Sequence, residues 1–87
     1  MAYRIEFTKS AEKELTRLPK ADRRRVANKI DSLSQNPRPR NAKRLLAAEG
    51  LYRVRYGDYR IVYQIQGRVL TVVVVRIRHR KDVYRNL

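Results

Sequence analysis

Between Leu51 and Ile77 the sequence carries three short strand-forming runs, residues 51–56, 59–66 and 69–77, separated by Gly57-Asp58 and Gly67-Arg68. In the first two runs the large apolar residues fall mainly on every second position. Successive side chains of an extended chain point to opposite faces, so a period of two makes a strand with one buried face. A two-residue gap that opens on glycine is a hairpin signal. The third run contains Val72-Val73-Val74-Val75 and is apolar on both faces, which suits the interior of a sheet. A chain that commits these residues to a meander must cover one face of it with what comes before.

What comes before reads as one strand and two helices. Tyr3, Ile5 and Phe7 alternate with Arg4 and Glu6, which predicts a strand over residues 2–7. Thr8 can cap a helix whose apolar stripe is Ala11, Leu15 and Leu18, with Glu12, Lys13, Glu14 and Arg17 outside. Pro19 stops it and fits the first turn of the next helix. Val26, Ile30 and Leu33 supply the second stripe, Arg23, Arg24, Arg25 and Lys29 lie on or beside its solvent side, and Asn36-Pro37 ends it. Residues 37–50 read as an irregular basic segment in which Leu45 and Leu46 should be buried. His79 to Asn86 reads as a short terminal helix or turn. The expected fold is a single α+β domain over residues 1–87, ordered β-α-α-β-β-β-α. Two N-terminal helices pack on a mostly antiparallel four-stranded sheet, followed by a short C-terminal helix.

Charge narrows the function. Twenty-two Lys and Arg stand against eight Asp and Glu among 87 residues, for a net charge of +14. Such a surface repels itself and calls for a polyanionic partner. Sixteen of these cations are Arg, the better bidentate ligand for phosphate. The chain has no cysteine and one histidine, which excludes disulfides, thiolate metal sites and His clusters. Glu49, Asp58 and Asp82 are scattered, so no carboxylate cluster for Mg²⁺ is expected. No phosphate-cradling glycine loop is present, and no metal or cofactor is expected. The opening Met-Ala-Tyr-Arg-Ile-Glu-Phe lacks a signal-peptide core, and no apolar run is long enough to span a bilayer. The expected location is the cytoplasm, with no membrane partner.

Strand pairing concentrates the charge. A two-residue turn at Gly57-Asp58 puts Tyr56 opposite Tyr59, Arg55 opposite Arg60 and Arg53 opposite Val62. Like charges so placed are destabilising unless an anion lies between them. A second two-residue turn would put Val75 beside Arg60 and Val73 beside Val62. Lys43 and Arg44, from the segment before the hairpin, are further RNA-binding candidates. The tail adds Arg76, Arg78, His79, Arg80, Lys81 and Tyr84. Strict alternation along the last strand puts Arg78 on the face opposite Arg60; a bulge, or an end to the strand near residue 77, would bring it back. Arginine holds phosphate but is too weak an acid to shuttle protons. His79 titrates in the right range for that task, and Tyr84 could stack on a base or serve as an acid. A basic site without metal ligands suits RNA, which carries its own nucleophile, the 2′-hydroxyl, beside each phosphate.

Leu51-Tyr52-Arg53-Val54-Arg55, Gly57-Asp58-Tyr59-Arg60-Ile61-Val62-Tyr63 and Val75-Arg76-Ile77-Arg78-His79-Arg80-Lys81-Asp82-Val83-Tyr84 resemble, in order and spacing, the central and closing motifs of the RelE/ParE superfamily of toxins, and within it the RelE branch. Tyr3-Arg4-Ile5-Glu6-Phe7 with Ala11, Lys13 and Leu15 resembles the family's opening strand and helix. The resemblance implies ribosome-dependent, metal-independent cleavage of mRNA that leaves a 2′,3′-cyclic phosphate. It also implies neutralisation by a cognate acidic, RelB-like antitoxin. Arg60 and Arg78 match the family's two active-site arginines and Tyr84 its C-terminal tyrosine. Arg53 and Arg55 stand where well-known members carry lysines, one of them the usual candidate general base. Arginine accepts protons poorly, so His79 becomes the preferred replacement. Two other readings share these features: a ParE-like toxin that poisons DNA gyrase, and a non-catalytic RNA- or ribosome-binding module using the six tyrosines for stacking.

Overall fold

A computed structural model describes residues 2–79. In chain order they form β1 (Arg4–Phe7), α1 (Lys9–Thr16), α2 (Lys20–Ser32), β2 (Lys43–Arg44), β3 (Leu51–Tyr56), β4 (Tyr59–Gln66), a single 3₁₀ turn (Gly67–Val69) and β5 (Thr71–His79). The expected terminal helix falls mainly on residues outside this range, and its first residue, His79, belongs to β5.

Local chemistry sets the helix ends. Thr8 is the N-cap of α1: its hydroxyl oxygen accepts from the Ala11 amide at 3.1 Å and its hydroxyl donates to the Val75 carbonyl at 2.8 Å. One side chain thus both starts α1 and ties it to β5. Pro19 sits one position earlier than expected, as the N-cap of α2, and offers no side-chain hydrogen bond there. The last turn of α2 tightens before Asn36-Pro37 is reached: the Leu33 and Ser34 amides donate to Ile30 and Asp31, and the Ser32 and Ser34 hydroxyls cover the Lys29 and Asp31 carbonyls.

The sheet has five strands among the described residues, in the order β1-β5-β4-β3-β2, one more than expected. The extra strand, β2, is a two-residue pairing of Lys43 with Arg53 and Arg44 with Tyr52. Strands β2 to β5 are antiparallel, while β1 joins β5 in parallel, from Arg4 opposite Thr71 to Phe7 opposite Val74. Ala11, Val26, Ile30 and Leu33 of the helical segment meet Val54, Ile61, Tyr63, Ile65, Val72, Val74 and Ile77 of the sheet in one buried core. The helices therefore cover one face, and no described element covers the other. The segment before β3 is held by the buried Tyr63 hydroxyl, which donates to the Pro37 carbonyl at 2.8 Å. Leu45 is half-buried, but Leu46 is 94% exposed, contrary to expectation: it lies in the turn after β2, beyond the reach of the core.

The register of the last hairpin departs from the two-residue turn. The connection runs through four residues, 67–70, with Leu70 in the left-handed region at φ 46°, and Gln66 pairs with Thr71. This moves the register by two positions, which leaves every side chain on its face. A bulge then acts in the other sense. Tyr63 pairs with Val74 but Val62 pairs with Arg76, so Val75 is an extra residue on β5. Beyond it each side chain changes face, Ile77 enters the core opposite Ile61, and Arg78 lies directly opposite Arg60. The partners expected for Arg60 and Val62, Val75 and Val73, are replaced by Arg78 and Arg76.

Candidate nucleic-acid interface

On the open face the side chains form two rows across the sheet. One row is Arg55, Arg60 and Arg78, each directly opposite the next across β3, β4 and β5. The row beside it is Lys43, Arg53, Val62 and Arg76, from β2 to β5. Nothing in the core requires like charges to face each other at Arg55–Arg60, Arg60–Arg78 and Lys43–Arg53, and each such pair costs stability. Between the rows lies a cavity of about 150 Å³ lined by Asn41, Lys43, Arg53, Arg55 and Arg60, with no carboxylate on its wall among the described residues. Two contacts set its shape. The Asn41 amide donates to the Arg55 carbonyl at 3.1 Å, and Arg55 Nε donates to the Gly57 carbonyl at 3.2 Å.

The β5 end of the rows is different. β1 stops at Phe7, opposite Val74, so beyond that point the outer edge of β5 has no strand partner among the described residues. α1 fills the gap with Glu14. One oxygen of Glu14 accepts the Ile77 amide at 2.8 Å, and both accept from Arg76, at 3.3 and 3.1 Å to Nε and 2.8 Å to Nη2. Arg78 Nε lies 3.6 Å from the same carboxylate. Arg76, expected to bind RNA, is thus held by a protein carboxylate, and Arg78 reaches the edge of the arginine row with a carboxylate behind it.

Two candidates lie on the covered face. His79 pairs with Tyr59, and their rings meet edge-on at 5.3 Å between centroids. It lines a cavity of about 410 Å³ with Asp22, Arg25, Tyr56, Asp58 and Tyr59. The Tyr59 hydroxyl donates to Asp22 Oδ2 at 2.9 Å; burial, reinforced by that carboxylate, pushes the phenol up to about 12. The sheet therefore stands between His79 and Arg60, and the expected grouping of this imidazole with the arginine row is corrected. The reason is alternation: the bulge that brings Arg78 to the open face sends its neighbour to the other. Arg44 is likewise separated from Lys43. It pairs with Tyr52 and lines another depression with Arg38 and Glu49. There Arg38 Nε donates to the Tyr52 hydroxyl at 3.1 Å, an interaction that raises the arginine further. Arg80, Lys81 and Tyr84 lie outside the described residues.

Asn41 and Glu14 were not singled out beforehand as site residues. Asn41 gives no sequence signal. Glu14 does: with Ala11, Leu15 and Leu18 it follows helical spacing, which places a carboxylate on the buried side of α1 and not outside it.

Residues 5–84 match the family of ParE toxins of type II toxin–antitoxin systems. The chain belongs to the RelE/ParE toxin superfamily. Toxin RelG of Mycobacterium tuberculosis is similar at 33% identity over 86 residues, which cover 98% of this chain and 99% of RelG. Among solved structures, the RelE–RelB complex of Pyrococcus horikoshii contains a chain that matches with a TM-score of 0.81 at 33% identity, over 92% of this chain and 97% of that one. A chain of the Escherichia coli RelBE toxin–antitoxin complex matches with a TM-score of 0.76 at 26% identity, over 87% and 94%. The described residues of this RelE/ParE member thus place two helices on one side of a mixed five-stranded sheet and the arginine rows on the other. No helix among the described residues is long and apolar enough to cross a membrane.

Proposed function

We propose that this toxin is a ribosome-dependent endoribonuclease that cuts mRNA without a metal and so inhibits translation. The observation that carries the reading is the Arg55–Arg60–Arg78 row beside a cation-walled cavity of about 150 Å³. Such an array binds a backbone phosphate and stabilises added negative charge on it. The 2′-oxygen of the preceding nucleotide attacks phosphorus and loses its proton. The bond to the 5′-oxygen breaks, that oxygen takes up a proton, and a 2′,3′-cyclic phosphate remains. Arg60, flanked on both sides, stabilises the pentavalent phosphate, while Arg55 and Arg53 orient the chain. Tyr84 is proposed to stack on a base or supply the leaving-group proton, and Arg80 and Lys81 to grip the backbone. The setting is the cytoplasm, where mRNA is translated. The partner is an acidic, RelB-like antitoxin, a reading supported by the solved relatives, which are RelE chains bound to RelB.

The test is cleavage of mRNA on purified, programmed ribosomes in EDTA, with product ends mapped. We expect cyclic-phosphate ends, and a loss of about 10²-fold or more with Arg60→Ala. No cutting by the wild type, or equal cutting by Arg60→Ala, would overturn the reading. The match to ParE toxins supports one second reading, a gyrase poison. Inhibition of gyrase supercoiling with mRNA left intact would select it.

A further inference from the structure

Stabilising a pentavalent phosphate leaves one task undone, removal of the proton from the 2′-hydroxyl. Guanidinium groups hold their protons too tightly to do it. His79 and Tyr59 are on the far side of the sheet, and Tyr59 is engaged with Asp22. Among the described residues the cavity wall consists of Asn41, Lys43, Arg53, Arg55 and Arg60. Of these five groups, an amide, an amine and three guanidiniums, only the amine can cycle between a proton donor and a proton acceptor.

We propose that Lys43 is the general base of this site. The inference rests on the endoribonuclease reading above. Lys43 lies directly opposite Arg53 across β2 and β3, at the end of the row beside Arg55 and Arg60, so its amine and the phosphate-holding guanidiniums share one cavity. Its side chain is exposed, and it enters no ion pair among the described residues. The neutral amine takes the 2′-proton as the oxygen–phosphorus bond forms. The ammonium so produced then faces the charge building on the phosphate. The short strand β2, which does little for the core, thereby acquires a purpose: it sets one proton-exchanging group beside three that cannot exchange.

The absence of cysteine makes the test selective. K43C introduces a single thiol, which 2-bromoethylamine converts into a lysine-like side chain with a weaker amine. Single-turnover cleavage on programmed ribosomes is followed against pH, and binding to the same complexes is measured separately. Lys43→Arg should keep binding and lose cleavage by about 10²-fold or more. Unmodified K43C should be equally impaired. Aminoethylation should restore cutting, with the rising limb of the pH profile moved to lower pH. Wild-type cleavage and pH dependence in Lys43→Arg would overturn the proposal. So would loss of binding and cleavage together in that variant, since Lys43 would then be a phosphate ligand only. If the wild type cuts nothing, the endoribonuclease reading falls first, before any variant is compared.

Discussion

Single residues in this protein are defined by what they face. Glu14 closes the unpaired edge of β5 and neutralises Arg76, with only 19% of its side chain exposed. Glu14→Ala strands a guanidinium and an amide together. We expect a loss of about 2 kcal/mol in urea unfolding, moderated by the partial exposure of Arg76. Two phenols make a second prediction. Tyr63 and Tyr59 are both pushed up to about 12, chiefly by burial, from an ordinary value of about 10. Between those values the unfolded chain has released protons that the native state still holds. Stability is therefore intact below about pH 10 and falls as pH rises toward 12, with Tyr63→Phe removing part of the slope in chemical denaturation. Arg55 and Arg60 were legible from the sequence because the first hairpin is a true two-residue turn, so pairing could be counted. His79 was not. Its place depends on one extra residue at Val75, and nothing in a run of four valines marks which of them is the extra one.

At the scale of elements, legibility followed the strength of local signals. β3 and β4 begin and end where period and glycine placed them, and Thr8 starts α1 as its hydroxyl suggested. The turn after β4 misled, because Gly67 opens a 3₁₀ turn closed by a left-handed leucine, a conformation that leucine seldom signals. β2 has only two residues, so no periodicity can reveal it; it exists because β3 offers an edge. Gly50 is the hinge of this region. It has φ +75°, its carbonyl accepts from the Ile65 amide at 2.8 Å, and an added Cβ would lie 2.8 Å from the Ile65 carbonyl oxygen. Gly50→Ala is expected to cost roughly 1–3 kcal/mol and to lower the thermal midpoint. Because Leu45 and Leu51 are hydrogen-bonded beside it, the same change should also disturb Lys43.

The whole molecule divides its charge unequally. Helices and core occupy one side of the sheet, while the cavity-lining cations on the other have no carboxylate among them in the described residues. Counterion release makes this measurable. Arg60→Ala should reduce the slope of log affinity for single-stranded RNA against log salt by about 0.7, the value of one phosphate contact. Arg76→Ala should leave it nearly unchanged, since Glu14 already balances that cation. Equal slopes for the two variants in a filter-binding series would show that register, and not pairing with Glu14, decides which cations meet RNA. The overall α+β class was legible because each element's apolar face was. The mixed topology was not, since a strand does not announce whether it will join a neighbour's edge or a distant one.

That distant pairing has a consequence in time. β1 is synthesised long before β5, yet β5 is its one partner in the sheet among the described residues, with Arg4 waiting for Thr71 and Phe7 for Val74. The helix that follows is tied to the same late strand through Thr8 and Glu14. A nascent chain therefore carries an unclosed sheet until β5 has emerged from the exit tunnel, and the arginine row does not exist until that moment. Contacts so remote in sequence are slow to close. The arginine row is in this way the last feature of the fold to be completed, by the order of its strands alone.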